Sequence, residues 1–574
     1  MIGVITVLAR LVGFGRQVVF AHTVGTTCLG TAYTTANMVP NIIYDIVLGG
    51  ALSSVVVPVL AGPAGLGAQA GEQARQIASA LLTWTVALLV PVSVIVAVAA
   101  HSIVSVLLSG ASGCPRGQLV SVGTRMLIVF APQVLLYGLA VVLYGILQSH
   151  RRFGAPALAP LLSSLVVVVA YAVFGVVGGA YVNRLHALPP SAEYVLSGGT
   201  TLGVLALVLT ALLPARRLRL RVRPAWRFPA GVAPRVRRLA IAGVLTLVAQ
   251  DASVAVVIVL ANRYGSPGAL VLYGFAWAVF VVPFAVLAIP IATSAFPELS
   301  ARSLFARTGL ADTGHAGQRL PSAADIAEIS PSGHPADAPH PLPSGQQPSG
   351  PDDAGFDATA AASTRAVLLA SWLGAAALVG ARVPLARVFE SHNAHAASVL
   401  ALSLAAFAPG LVGYGLSANL SRVLYAQGRN RAPALAITAG WLLVILADLL
   451  IVPRVPRPRV VPVLGLGTSI GLTVAGLALL VLVARARGAA SLAGVPRAFL
   501  AGLTGCAAAA AAGSAIAALV RVPGFFPNVG ISVLVSVVVT TVFAAVVLNV
   551  DGGDLRAALR RLRRAPAADR SPVP

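Results

Sequence analysis

The chain has 574 residues, 57% of them hydrophobic and 10% charged, with a mean hydropathy of +0.89. This is more apolar surface than a soluble core of that length can hide, so a soluble globular fold is excluded and a polytopic membrane protein is expected. A net charge of +23 would suggest nucleic acid in a soluble chain, but the 40 basic residues are all arginine and cluster at the ends of apolar runs, where membrane topology wants them, so no nucleic-acid partner is expected.

Apolar runs long enough to cross a hydrocarbon layer of roughly 30 Å fall at 2–22, 32–60, 78–107, 119–147, 156–178, 196–213, 239–262, 269–294, 364–387, 396–424, 433–453, 460–484, 497–520 and 528–550. The expected fold is therefore an all-α polytopic membrane protein of about 14 transmembrane helices. With both termini on one side, the loops of that side carry 28 arginines and the opposite loops 10, a bias that places both termini in the cytoplasm. The start MIGVITVLAR lacks a basic n-region, so the first span is expected to be retained and not cleaved as a signal peptide.

Arg10, Arg16, Asn37, Pro40, Asn41 and Asp45 interrupt the first two spans, where polar residues mark a functional site by default. Arg10 and Arg16 would sit roughly 9 Å apart along an ideal helix and about 120° apart around it. Gly13 and Gly15 lie between them and could bend the helix so that both reach one cavity. Two guanidinium forks suit a phosphate, which points to a carrier of something anionic. The bland alternative is a short first helix whose arginines snorkel to headgroups. Pro40, Gly49 and Gly50 loosen the second span and read either as a hinge or as packing.

Cys28, Cys114 and Cys506 show no pairing or metal spacing, so neither a disulfide framework nor a metal site is expected. Residues 215–238 alternate arginine with Leu or Val and then turn proline-rich, a basic bridge that fixes topology or lies along anionic headgroups. Residues 309–362 are rich in Pro, Ser, Gly, His and Asp and are expected to form a disordered cytoplasmic loop. The segment 551–574 is a basic cytoplasmic tail. Asp251 and Asp448 are lone carboxylates in the seventh and eleventh spans, where each must be protonated, paired or cation-bound.

Sliding the chain by 277 positions aligns Phe130–Ala159 with Phe407–Ala436, identical at 14 of 30 positions and sharing F-A-P, Y-G-L and A-P-A-L-A. The matched spans are six helices apart, so the repeat is parallel. It implies two pseudo-symmetric six-helix lobes, residues 1–214 and 239–484, followed by two C-terminal helices within 485–550. Parallel lobes around a central site are an architecture for alternating access.

The stretches ARLVGFGRQ (9–17), ANMVPNIIYDIVLGGALSSVVVPVL (36–60), ILQSHRRFGAPALAP (146–160), AFPELSARS (295–303) and LYAQGRNRAPA (424–434) resemble the MurJ/MviN family of lipid II flippases, within the multidrug/oligosaccharidyl-lipid/polysaccharide exporter superfamily. The resemblance implies a fourteen-span inner-membrane protein, working as a monomer, that carries lipid II from the cytoplasmic to the outer leaflet. Its partners would be lipid II, membrane lipids and cell-wall synthesis proteins, with the last two helices lining a groove for the lipid tail. Arg10 and Arg16 match the family's first-span arginines, which implies a diphosphate role for them, helped here by Asn37 and Asn41. Family arginines elsewhere fall on Tyr44, Asp45 and Ala278, and a family glutamate on Gly49, which resembles the actinobacterial branch and implies a less cationic cavity. Some relatives bind sodium between helices seven, eleven and twelve; Asp251, Asp448 and Thr468 stand at corresponding places, although Val444 replaces an asparagine there. No cofactor is expected beyond a coupling Na+ or H+ and the membrane potential. No Ser-His-Asp, Cys-His, paired-carboxylate or nucleotide-loop arrangement appears, so the chain does not read as an enzyme. Rival readings are a cation-coupled multidrug or saccharide-lipid exporter of the same superfamily, and a non-transporting scaffold for cell-wall synthesis.

Overall fold

The structure is a computed structural model, described here over residues 2–46, 68–111, 113–150, 152–216, 224–226, 232–308, 351–389, 394–520 and 522–550. Gly49 and Gly50, the end of the second span, the loop 309–350 and the tail 551–574 lie outside the described residues.

Among the described residues the chain is helical and without strands. The first lobe comprises α1 (Ile2–Thr23), α2 (Cys28–Asp45), α3 (Ala68–Val98), α4 (Ala100–Leu107), α5 (Arg116–Phe130), α6 (Pro132–Ser149), α7 (Gly154–Val177) and α8 (Pro190–Arg216). The second comprises α9 (Val232–Tyr264), α10 (Ala269–Pro283), α11 (Ile289–Thr308), α12 (Pro351–Gly380), α13 (Arg382–Val388), α14 (Ala394–Phe407), α15 (Gly410–Ala426), α16 (Arg431–Ile451) and α17 (Val460–Arg487). α18 (Val495–Leu519) and α19 (Phe525–Val550) complete the chain and pack on α12. Eleven helical stretches are long and apolar enough to cross a membrane, and α14 with α15, bent by 43°, makes a twelfth. These twelve fall on the third to fourteenth expected spans, and α1 and α2 take the places of the first two.

The two lobes repeat one another in their packing. α1 lies against α7, which lies against α8; in the second lobe α9 lies against α16, which lies against α17. Small residues permit the closest approaches, as at Gly413 of α15 and Gly476 of α17, where an added Cβ on either would meet the other helix's backbone. The turn from α1 into α2 is built locally: Gly25 takes the left-handed conformation with φ 66°, and Thr27 caps α2 by accepting a hydrogen bond from Gly30 N at 3.1 Å.

Four expectations need correction. Residues 351–362 are helical and not part of a disordered loop, because Arg487 holds the start of α12 through Asp353 (2.7 Å), Asp357 (2.8 Å) and the ring of Phe356. The Ala-rich segment that follows favours helix. The basic bridge is shorter than 215–238, since α8 runs to Arg216 and α9 already begins at Val232. α1 is uninterrupted through Gly13 and Gly15, so these glycines make no break in it; a Cβ on either would meet open space. Cys28 and Cys114 form a disulfide with their Cα atoms 5.8 Å apart. Their separation of 86 residues carries no local signal, and only the folding of the first lobe brings them together.

Candidate functional site

The lobes meet through α1, α2 and α4 on one side and α9 and α10 on the other. At the Cys28 end this meeting is tightly closed. Gly268, with φ 79°, lies so close to Thr26 that an added Cβ would stand 2.6 Å from its carbonyl oxygen. Gly268 N donates to Thr31 Oγ1 at 3.0 Å. Asn262 Nδ2 donates to Thr35 Oγ1 and to the Leu107 carbonyl, both at 3.0 Å. An aromatic chain crosses the same seam: Phe20 meets Phe275 at 6.2 Å, Phe275 meets Phe389 at 4.9 Å, and Phe389 meets Phe14 edge-on at 5.6 Å.

Beside this closure sits Arg16, half-buried on α1 and within electrostatic reach of Tyr33, Tyr137 and Tyr171. Tyr137 Oη donates to Asn41 Oδ1 at 3.0 Å, and its ring lies 4.3 Å from that of Tyr44. Asn37 Oδ1 is buried without a hydrogen-bond partner, so an acceptor is left to be met by a donor that the protein does not supply. Arg10 is exposed on the same helix, about two turns from Arg16. The structure thus brings Arg16 together with Tyr33, Tyr137 and Tyr171, which the sequence did not single out, and through Tyr137 with Asn41; Asn37 lies one turn before Asn41 on α2, and Arg10 stands outside the cluster.

The two lone carboxylates have different surroundings. Asp251, 2% exposed and with neither oxygen hydrogen-bonded, lies within electrostatic reach of Asp45 of the opposite lobe. Asp448 stands with Tyr273 and Thr468: the Tyr273 hydroxyl interacts with both side chains, and Thr468 donates to the Leu464 carbonyl at 2.9 Å. Asp448 is 1% exposed, both its oxygens lack a donor, and it presses on Gly467. This trio has a counterpart in the first lobe. Tyr33 hydrogen-bonds to Tyr171 at 2.7 Å and to Thr200 at 2.8 Å, and the 277-residue offset carries Tyr171 onto Asp448. A satisfied tyrosine cluster in one lobe is replaced in the other by an unsatisfied carboxylate, which is costly unless a proton or a cation joins it. Among the described residues no group of three or more His, Cys, Asp or Glu is placed to hold a metal.

Residues 20–305 match the family model for the lipid II flippase MurJ. The chain is 25% identical over 218 residues to a probable lipid II flippase MurJ from Synechocystis, a stretch covering 37% of this chain and 38% of that protein. It is 29% identical over 173 residues to the lipid II flippase MurJ of Burkholderia cenocepacia, covering 29% of this chain and 32% of that one. These matches span between about a third and two fifths of the relatives' length. A solved lipid II flippase MurJ in an inward closed conformation superposes with a TM-score of 0.66 at 16% identity, covering 96% of this chain and 98% of the other. An inward-facing multidrug transporter of the MATE family superposes with a TM-score of 0.60 at 14% identity, covering 84% and 95%. With its repeated lobes, a closed seam at one end and the matched stretch running from the first helix to the eighth span, the chain matches the family of the lipid II flippase MurJ over just under half its length and shares the fold of its solved member.

Proposed function

We propose that the protein carries lipid II from the cytoplasmic to the outer leaflet of the bacterial inner membrane by alternating access. Both termini lie in the cytoplasm, and the closed Cys28 end faces outward. The observation that carries this reading is Arg16: a guanidinium beside the seam between the lobes, among tyrosine hydroxyls and the amides of Asn37 and Asn41. A planar fork of donors meets two oxygens of a diphosphate, and Asn37 and Tyr137 add polar groups beside it.

Exposed Arg10 meets the headgroup first, and Arg16 holds the diphosphate. Rocking of the lobes opens the outer seam while the polyprenyl tail stays in lipid along α18 and α19. An inside-negative potential favours expulsion of the anionic headgroup by about 2.3 kcal/mol per charge per 100 mV. Asp448, Thr468 and Tyr273 offer the oxygen ligands a hard monovalent cation takes, or a seat for a proton, and so form the coupling site. Asp251, within reach of Asp45, makes a carboxylate pair on the path between the lobes.

The test is a leaflet-resolved measurement of lipid II in cells depleted of their own flippase and supplied with this chain. Wild type restores outer-leaflet lipid II and Arg16→Ala does not. Full restoration by Arg16→Ala at matched expression refutes the diphosphate role.

A further inference from the structure

A cavity of about 210 Å³ opens in the second lobe between α9, α15, α16 and α17. Thr246 and Gln250 contribute from successive turns of α9, Tyr414, Ser417 and Ser421 from α15, and Trp441 from α16; no charged side chain lines it. Ser417 is 6% exposed, and its hydroxyl is buried without a partner. Tyr414 is fixed by stacking on Phe284 with ring centroids 3.9 Å apart.

The repeat says what this cavity is. The 277-residue offset carries Tyr137, the neighbour of Arg16 and Asn41, onto Tyr414. In the helix pairs that enter each lobe, Gly25 and Tyr33 correspond to Gly265 and Tyr273 at an offset of 240, which carries Arg10 onto Gln250. The cavity is the second lobe's version of the face that carries Arg10 and Tyr137 in the first, with the Gln250 amide where the first lobe has the Arg10 guanidinium; Arg16 itself falls on Val256, which does not line the cavity. Its lining residue Gln250 precedes Asp251, which lies within electrostatic reach of Asp45 on α2 of the first lobe, and the cavity has no charge of its own.

We propose that this cavity is the subsite for the neutral saccharide next to the diphosphate. The inference rests on the lipid II reading above and adds a division of labour to it: the first lobe holds the charge and the second reads the sugar. Amide and hydroxyl groups exchange hydrogen bonds with ring hydroxyls, and the indole of Trp441 offers an apolar wall to the C–H face of a pyranose. A polyprenyl chain would leave Gln250 and Ser417 unsatisfied, and an inorganic ion would find no opposite charge. Sites for whole ligands run to about 300–1,000 Å³, so this volume fits one ring and not the entire headgroup.

The experiment uses the full chain in lipid nanodiscs, with affinities for lipid II and for undecaprenyl diphosphate, which has no sugar, measured by native mass spectrometry. Gln250→Ala and Ser417→Ala each weaken lipid II binding by about three- to tenfold, the loss of one neutral hydrogen bond, and leave undecaprenyl diphosphate unchanged. Ser417→Ala removes a buried hydroxyl that has no partner, so it keeps the fold intact. Arg16→Ala weakens both ligands. If Arg16→Ala weakens both while the two second-lobe variants leave the ratio of affinities at the wild-type value, the diphosphate reading stands and the saccharide subsite is overturned. If wild type binds neither lipid, both readings fall.

Discussion

A covalent lock across the seam tests whether the closed end must open for transport. Gly110, in the loop between α4 and α5, faces Arg263 near the end of α9: a Cβ on Gly110 would stand 3.5 Å from Arg263 Cβ and 2.8 Å from its Cγ. Disulfides require Cβ atoms about 3.5–4.5 Å apart, so Gly110→Cys with Arg263→Cys places two sulfurs in bonding range without moving either backbone. Gly110 has φ 83°, and a cysteine there costs about 1–2 kcal/mol. A disulfide typically contributes about 2–4 kcal/mol, so the bond forms despite the strain. Once formed it joins the lobes, unlike the native Cys28–Cys114 bond, which lies within one lobe. The assay is lipid II flipping in proteoliposomes after oxidation, with cross-linking quantified on the same sample, and with wild type and each single variant as controls. Flipping by the double variant falls in proportion to the cross-linked fraction and returns on reduction, while the controls stay constant. Wild-type flipping by fully cross-linked protein would falsify the claim that this seam opens, and with it alternating access.

Other substitutions test single residues. Arg16→Lys restores outer-leaflet lipid II only in part, because an ammonium keeps the charge and loses the fork, and complementation titrated against expression level reads the difference. Asp448→Asn abolishes stimulation of flipping by an imposed sodium or proton gradient; Gly467→Ala does the same, since its methyl would take the space of a carboxylate oxygen. An Asp448→Asn protein that still responds to both gradients removes the coupling role. Gly413→Ala drives a methyl into the backbone at Leu472 and Thr473 and costs about 1–3 kcal/mol from overpacking, seen as a lowered melting temperature in detergent; an unchanged melting temperature contradicts the close packing of α15 on α17.

Much of the fold was legible because membrane spans and repeats leave long-range patterns. Apolar runs gave the third to fourteenth spans, and Phe130–Ala159 against Phe407–Ala436 gave the two lobes. Arg16 was legible because a charge inside an apolar run needs a reason. The tyrosine cluster around it was not, since Tyr33, Tyr137 and Tyr171 look like ordinary interfacial aromatics until folding brings three separate helices together. The Y-G-L shared by Tyr137 and Tyr414 was the available signal. The surroundings of Asp251 and Asp448 were hidden for a related reason: sequence places both in apolar helices but does not say what each faces, and only the fold brings Asp251 within electrostatic reach of Asp45 and Asp448 beside Tyr273. Helix start at residue 351 was hidden because composition there is polar, and the contacts that hold it come from Arg487, far along the chain.

The bond between Cys28 and Cys114 gives the protein a maturation requirement. With the orientation proposed above, both thiols emerge beyond the reach of cytoplasmic reductants, and Cys114 emerges only after the third span has been threaded. Membrane insertion and thiol oxidation are therefore ordered events for this chain. A foreign host without an envelope oxidant would deliver a dithiol form of the first lobe, so activity measured there needs its thiol content counted.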